Sequence, residues 1–271
     1  MNLTHCRTLL TGATGGIGRH IALDLARQGA KLILVGRRLE PLNVLRNEIL
    51  SATATATGED IIVIDADISQ TEGRKSLLEK IRRSVGGVDL LINNAGITDF
   101  HAFNEQDPEV INKIFQTNVI APVQLTRELL PDMLAQGQGR IVNIGSTFGS
   151  IGFAYFSTYS SSKFAIRGFS ESLRRELDGT GVDVSYLAPR AVKTTANTEA
   201  VYRMAEATKM NMDEPEDVAN FIVQSILKDK AIAYYGWPEK MFVRINALLP
   251  RFVDNALRKQ NRIISQFSPK S

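Results

Sequence analysis

The sequence predicts an α/β protein built on a doubly wound parallel sheet of about seven strands, with a helical extension at its C-terminal end. Short runs rich in Ile, Val and Leu recur along the chain, and segments of helix length lie between them. Continuous apolar runs are typical of strands buried on both faces. Strands that alternate with helices at this spacing predict right-handed βαβ units and hence a parallel sheet.

The elements follow from where these runs fall. Strands are predicted at residues 7–10, 31–35, 61–64, 89–92, 140–144, 183–187 and 231–235. Apolar residues every three or four positions predict helices between them, for example through Ile17, Ile21 and Leu25. A later helix is expected to begin at Pro215, because proline is favoured in the first turn. No linker rich in Pro, Gly or Ser divides the chain, so we predict one domain over 1–236 and an extension over 237–271.

Composition excludes several classes of protein. With 44% hydrophobic and 23% charged residues, the 271-residue chain matches a globular protein rather than a disordered or collagenous one. Its single cysteine, Cys6, makes no intramolecular disulfide. No apolar run approaches the roughly 18 to 20 residues that a membrane span needs, and no signal peptide is recognised. A cytoplasmic location is therefore expected.

The net positive charge is confined to the extension. Residues 238–271 contain seven cations and two anions, whereas the whole chain carries a net charge of only +3. The first 237 residues are therefore slightly acidic, which argues against a nucleic-acid-binding protein.

A glycine-rich loop follows the first predicted strand and opens a helix, the context in which such a loop binds a pyrophosphate at a helix N-terminus. Two spacings fit this loop. Gly12, Gly16 and Gly18 match G-x-x-x-G-x-G, and Gly12, Gly15 and Gly18 match G-x-x-G-x-x-G. The residues predicted to contact a dinucleotide here are Gly12, Thr14, Gly15, Gly16, Ile17 and Gly18.

The end of the second strand predicts which dinucleotide is bound. NAD enzymes usually place a carboxylate there, and this chain has Gly36 followed by Arg37. Arg37 offers a permanently charged planar group to a 2′-phosphate. The sequence therefore favours NADP(H) over NAD(H).

Polar residues that suit proton transfer follow the next strands. Tyr159 and Lys163 are four positions apart, so a phenol and an ammonium share one helix face. Ser146 follows the fifth strand, Asn118 lies in the helix before it, and Asn94, Ala95 and Gly96 close the fourth strand. All lie at the carboxyl edge of a parallel sheet, where open α/β folds bind ligands.

Together these motifs resemble the short-chain dehydrogenase/reductase family, in its single-domain form with a Rossmann-like fold. The resemblance covers about residues 6–236 and implies hydride transfer between a nicotinamide and a carbonyl or secondary alcohol. It implies an acid/base role for Tyr159, ribose binding by Lys163, substrate orientation by Ser146 and a water-mediated proton relay at Asn118. It further implies cofactor contacts from Asp67, Ile68, Asn94, Ala95, Gly96, Pro189, Val192 and Thr194.

Two residues of this motif set, Lys163 and Arg190, carry further expectations. A phenol pKa near 10 must fall by about three units to reach 7, and one ammonium at about 4 Å supplies roughly the 4 kcal/mol required. We therefore predict that Lys163 lowers the pKa of Tyr159. Arg190 stands where the family has a glycine in Pro-Gly-x-Val-x-Thr, which places strain or an anion contact at that position among the hypotheses.

Other chemistries fit less well. Gly145–Gly149 lacks the G-x-S-x-G elbow of a hydrolase, and one Cys with three scattered His offers no metal site of familiar spacing. A cofactor-sensing regulator with little turnover is the remaining alternative.

The substrate and the partners are predicted from the remaining features. Phe148, Phe153, Tyr155 and Phe156 favour a hydrophobic substrate such as a fatty-acyl, ketoacyl or steroid-like compound, although core packing also explains them. Residues 195–212 are expected to form a lid, and a homo-oligomer, dimer or tetramer, is expected.

Apolar residues recur with cations through 238–264, with a break at Pro250. This extension resembles the tails of hydroxysteroid and retinoid-type family members that meet lipids; packing on its own domain, a second subunit or a membrane surface stay open.

Overall fold

The computed structural model describes residues 1–269 and contains one sheet of seven parallel strands. The strands are β1 Arg7–Thr11, β2 Lys31–Gly36, β3 Ile61–Asp65, β4 Leu90–Asn93, β5 Gly139–Ile144, β6 Val182–Ala188 and β7 Ile232–Tyr234. Each predicted strand is confirmed, with bounds that differ by at most one residue at either end. Lys270, one of the cations counted above, lies outside the described residues.

Helices cover both faces of the sheet. They are α1 Gly16–Arg27, α2 Leu39–Ala52, α3 Thr71–Ser84, α4 Pro108–Phe115, α5 Ala121–Gln136, α6 Ser157–Glu176, α7 Glu199–Ala207, α8 Pro215–Leu227, α9 Glu239–Leu248 and α10 Pro250–Ile264. A π-helical turn at 116–120 joins α4 to α5, and short 3-10 turns lie at 103–105 and 147–149. The predicted start of α8 at Pro215 is confirmed.

The alternation of side chains along each strand produces two hydrophobic cores. Leu10, Leu34 and Ile92 face one core, where α1, α2 and α8 pack. Their neighbours Leu9 and Val35 face the other, with α3 and α5. Successive residues of a strand point to opposite faces of the sheet, and helices cover both faces. The strands are therefore predominantly apolar and do not alternate between apolar and polar residues.

The order of the strands locates the ligand crevice. The sheet runs β3-β2-β1-β4-β5-β6-β7, so the chain reverses its direction of winding between β1 and β4. In open α/β sheets this switch point opens a crevice at the carboxyl ends of the strands. The glycine loop after β1 and Asn94–Gly96 after β4 lie on its two sides.

The C-terminal extension forms α9 and α10, with the predicted break at Pro250 confirmed. Leu249, the residue before this proline, has φ and ψ of −134° and 61° and so lies outside the helical region, which a following proline disfavours. Val243, Val253 and Ile264 are buried, and the Asn246 amide donates to the Ser150 carbonyl at 2.9 Å. One side of the extension therefore packs on its own chain, whereas the boundary at residue 236 stays a prediction. Among residues 1–269, no helix has both the length and the apolar content to cross a bilayer.

Candidate active site

The glycine loop is held against β4 by the Asn94 side chain. Its amide nitrogen donates to the carbonyl oxygens of Thr11 and Gly12, at 3.1 Å in each case. The Thr11 hydroxyl in turn accepts hydrogen bonds from the backbone N–H groups of Asn94 and Ala95. These bonds fix the distance between the two sides of the crevice, and they use Thr11, a residue that sequence reasoning did not single out.

Close packing distinguishes the two glycine spacings. A Cβ at Gly16 would lie 2.8 Å from the Thr194 side chain, and one at Gly18 would lie 2.2 Å from the Gly12 carbonyl oxygen. A Cβ at Gly15 would come no closer than 3.3 Å to another heavy atom. The structure thus makes Gly16 and Gly18 the sterically demanding positions after Gly12, which is the G-x-x-x-G-x-G spacing.

A cavity of about 540 Å³ lies along this crevice, a size in the range of ligand sites. It is bordered by Arg37 at the end of β2, by Asp67 and Ile68 after β3, and by the N-terminus of α1. The predicted cofactor residues that line it are Gly12, Thr14, Gly15, Gly16, Ile17, Gly18, Arg37, Asp67, Ile68, Asn94, Ala95, Gly96 and Thr194.

Arg37 and Asp67 are charged residues that border this cavity. Arg37 is exposed and lines the cavity, whereas its neighbour Arg38 does not. The Asp67 carboxylate accepts hydrogen bonds from the backbone N–H and hydroxyl of Ser69, at 3.0 and 2.6 Å. Asp67 therefore closes a local turn as well as bordering the cavity.

A smaller cavity of about 190 Å³ adjoins the first and shares Ile17, Asn94, Gly96 and Thr194 with it. Ser146, Tyr159 and Lys163 line it, as do Pro189 and Val192. Ser146 begins the turn after β5, and Tyr159 and Lys163 project from α6. The structure thus brings three of the four predicted catalytic side chains to the wall of one cavity, next to the larger one.

Burial dominates the acid–base properties of this pair. Desolvation raises the pKa of the Tyr159 phenol to about 12, and the nearby Ser146 hydroxyl only partly opposes it. Desolvation lowers the pKa of Lys163 to about 8. The Lys163 ammonium donates to the Ile144 carbonyl at 3.0 Å and lies 5.7 Å from the centre of the Tyr159 ring. The predicted lowering of the Tyr159 pKa by Lys163 is therefore wrong for this arrangement, because desolvation of the buried phenol raises that pKa.

Asn118, the fourth predicted catalytic residue, lies in the π-helical turn between α4 and α5. Its side chain accepts from the Ile97 N–H at 2.8 Å and donates to the Ile97 carbonyl at 2.9 Å and the Ser162 hydroxyl at 3.0 Å. It therefore ties the loop after β4 to α6. Turns of this kind are frequent at functional sites.

Sequence reasoning missed Tyr186. This buried residue of β6 donates from its hydroxyl to the Ser146 carbonyl at 3.0 Å and accepts from the Ser146 N–H at 3.3 Å. It thus fixes the backbone of Ser146 on both sides. The only signal in the sequence was a tyrosine inside a predicted strand, since a buried tyrosine hydroxyl usually needs a partner.

Arg190 lines the smaller cavity, and its backbone is not strained. It is absent from the residues with positive φ, and its guanidinium binds the Asp213 carboxylate through two nitrogens, both at 2.7 Å. A third contact, at 2.9 Å, reaches Glu239 of α9. The strain hypothesis for this position is therefore wrong, whereas an anion contact stays a hypothesis, because Arg190 lines the smaller cavity. Arg190 also ties the segment after β6 to Asp213, two residues before α8, and to the extension.

The segment predicted as a lid contains α7, which contributes Val201 and Met204 to the wall of the smaller cavity. Phe148 and Phe156 form the facing wall. Phe153 and Tyr155 pack behind them, with Phe153 stacked on Phe148 at 4.6 Å between ring centres. The aromatic cluster thus supplies both cavity lining and core.

The fold and the paired cavities define a Rossmann-like nucleotide-binding α/β protein, and comparison with known proteins gives its family. A model described as short chain dehydrogenase matches residues 7–205. The chain belongs to the short-chain dehydrogenase/reductase family of oxidoreductases, as its motifs predicted.

Two relatives and one solved structure illustrate the similarity. Ketoacyl reductase HetN of Nostoc sp. (strain PCC 7120) is 38% identical over 224 residues, covering 83% of this chain and 76% of the relative. Dehydrogenase/reductase SDR family member 7B of Bos taurus is 32% identical over 266 residues, covering 94% and 82%. The crystal structure of a short-chain dehydrogenase from Streptomyces avermitilis superposes with a TM-score of 0.78 at 28% identity, covering 96% of this chain and 98% of that one.

Proposed function

We propose that the protein is an NADP(H)-dependent carbonyl reductase, or the reverse alcohol dehydrogenase, that acts on a hydrophobic substrate. The observation that carries the proposal is the position of Tyr159, Ser146 and Lys163 on the wall of an apolar cavity that adjoins a dinucleotide-sized one. A substrate bound in the smaller cavity would lie beside a cofactor bound in the larger one, because the two cavities share lining residues.

The chain's own residues supply the proton and the orientation. When bound, the nicotinamide supplies the hydride to the carbonyl carbon. The Tyr159 phenol, kept protonated by its pKa of about 12, donates its proton to the carbonyl oxygen. The Ser146 hydroxyl donates a hydrogen bond to the same oxygen. Its backbone is held by Tyr186, so the donor is in place before substrate arrives.

Lys163 and Asn118 act around this proton transfer. With its pKa lowered to about 8, Lys163 is mostly protonated at neutral pH but releases its proton more readily than a lysine in water. It can therefore supply a proton to Tyr159 after Tyr159 has given its own to the substrate. The same ammonium would hold the nicotinamide ribose, the role that the family resemblance implies. Asn118 positions Ser162 and the loop after β4 through its three hydrogen bonds. The water-mediated relay assigned to Asn118 remains a prediction.

The choice of NADP(H) is supported by Arg37 and Gly36. Gly36 has no carboxylate to repel a 2′-phosphate, and a Cβ there would meet only ordinary contacts at 3.5 Å or more. Arg37 lines the cavity at this end and offers several N–H donors to the phosphate oxygens. Asp67 is turned toward Ser69 and leaves this role to Arg37.

The substrate class is inferred from the cavity wall. Phe148, Phe156, Val201, Met204 and Met210 are all apolar or nearly so, which favours an aliphatic chain or a fused ring next to the reacting carbonyl. The similarity to a ketoacyl reductase points in the same direction. We therefore propose a ketoacyl compound or a similar hydrophobic ketone as the substrate class.

The proposal is tested by following the nicotinamide absorbance with ketones and alcohols of increasing chain length. We expect turnover with NADPH that is faster for longer apolar substrates. Tight NADPH binding without turnover on any member of the series would instead support a cofactor-sensing regulator, the alternative from the sequence.

A further inference from the structure

We propose that the junction between α9 and α10 docks on an anionic membrane surface. The site is an apolar elbow, defined as Trp237, Met241, Phe242, Leu248, Leu249 and Phe252, next to a basic stripe, defined as Arg251, Arg258, Lys259 and Arg262. The elbow and the stripe lie outside the walls of the smaller cavity, so the proposed reaction does not use them.

The elbow is apolar and open to solvent. Leu248 is 80% exposed, Trp237 71%, Phe252 62% and Leu249 61%. Leu248 and Leu249 adjoin the break before Pro250, and Phe252 follows in the first turn of α10. Single exposed apolar residues are common, but here Met241 and Leu248 are seven positions apart on one side of α9, Trp237 lies just before that helix, and Leu249 and Phe252 continue into α10. A continuous group of large exposed apolar residues marks an interaction site.

The two helices are anchored on their other side, which fixes the direction in which the elbow points. In α10, Val253 and Ile264 are eleven positions apart, share a face and are buried. Ile264 packs with Phe100 and Met204 behind the wall of the substrate cavity. The side chains of the elbow therefore lie on the side of the helices that does not pack on the rest of the chain.

The basic stripe lies beside the elbow and carries uncompensated charge. Arg251, Arg258 and Arg262 are seven and four positions apart, which places them on one side of α10. In residues 1–269, no cation from Lys240 to Arg262 has a carboxylate within ion-pair distance. Glu239, one of the two anions in the extension, is already paired with Arg190.

This combination fits a bilayer better than a second copy or a polyanion. A two-fold contact through the elbow would bring each basic stripe toward its copy, and the like charges would repel. A nucleic acid would satisfy the stripe but leave Leu248 and Leu249 in water. An anionic bilayer accepts both, since apolar side chains enter the acyl boundary, Trp237 suits the interface and cations attract the headgroups.

The test uses the full chain and sedimentation with vesicles of phosphatidylcholine, with and without phosphatidylserine. We expect binding to the anionic vesicles that weakens at high salt, since surface attraction is screened. Substituting Leu248, Leu249 and Phe252 by Ser should abolish binding. Val44→Ser, which alters a similarly exposed apolar residue on α2, is the matched control and should bind like the parent.

A second variant separates charge from apolar contact. Changing Arg258, Lys259 and Arg262 to Gln should weaken binding to anionic vesicles on the order of a hundredfold, from about 1 kcal/mol for each cation. The same changes at Lys80, Arg82 and Arg83 on α3 are the control. Circular dichroism checks that each variant is folded.

The other outcomes overturn the proposal. No binding to anionic vesicles by the parent chain, or binding that both triple variants retain, would remove the elbow as a membrane site. If the elbow variant instead lowers the oligomeric mass measured by light scattering, while the parent ignores vesicles, the surface is an interface between copies.

Discussion

The guanidinium of Arg190 holds the carboxylate of Asp213 through two parallel hydrogen bonds of 2.7 Å, between groups that are only 17% and 11% exposed. Asp213 also bonds by its backbone to both sides of Val192: its N–H donates to the Ala191 carbonyl, and its carbonyl accepts from the Lys193 N–H, both at 2.9 Å. The pair therefore fixes the segment that forms one wall of both cavities.

Removing the charge of Asp213 tests this tie. Asp213→Asn should lower the free energy of unfolding by about 2 kcal/mol, the worth of a charge-assisted hydrogen bond in a partly buried pair. It should also raise the KM for NADPH, because the segment around Val192 loosens. Urea unfolding and steady-state kinetics measure the two effects. Glu214→Gln removes the neighbouring exposed pair with Lys193 and is the control; equal stability of both variants would refute the role.

Arg37 is expected to determine the cofactor preference. Arg37→Ala should lower kcat/KM for NADPH on the order of tenfold to a hundredfold, from the loss of a charged contact to the 2′-phosphate, and should leave NADH nearly unaffected. The adjacent Arg38→Ala is the matched control, because Arg38 is equally exposed but does not line the cavity. A parent enzyme that prefers NADH would refute the cofactor proposal outright.

The buried ammonium of Lys163 should give the protein a recognisable pH dependence of stability. Its folded-state pKa of about 8 lies below the ordinary value of 10.5, so the charged form destabilises the fold at neutral pH. Between pH 8 and 10.5 the folded state has lost the proton and the unfolded state still binds it, so stability rises with pH.

Comparing the parent chain with Lys163→Met isolates this contribution. The parent should gain up to about 3 kcal/mol of stability relative to the variant as the pH rises from 7 to above 10. Urea unfolding at several pH values measures the difference, and Lys230→Met, at an exposed lysine, controls for the loss of a charge. A difference that stays constant with pH would show that Lys163 is not desolvated in the folded state.

Much of the fold was predictable because it depends on local patterns. Strands of a sheet that is covered on both faces are predominantly apolar, so runs of Ile, Val and Leu predicted β1 to β7. Pro250 had to interrupt the tail, since proline removes a helical hydrogen bond. The approach of Tyr159 to Lys163 followed from their spacing on one helix.

The rest depended on contacts between residues far apart in sequence. Tyr186 of β6 bonds to Ser146, which follows the neighbouring strand β5. Arg190 bonds to Asp213, which lies beyond α7 along the chain. The pKa of Tyr159 was mispredicted for a related reason. The motif gives the charge of Lys163, whereas the desolvation that raises the Tyr159 pKa depends on how deeply the folded chain buries the phenol.

The most direct test of the proposed reaction is the Tyr159→Phe variant in a single turnover with NADPH and a long-chain ketone. Loss of the proton donor should slow turnover by at least about a hundredfold, while NADPH binding, measured by its fluorescence, is unchanged. Tyr155→Phe, in the same aromatic cluster but outside the cavity wall, should turn over like the parent. If Tyr159→Phe reduces the ketone at the parent's rate, Tyr159 is not the acid and the proposed mechanism is contradicted.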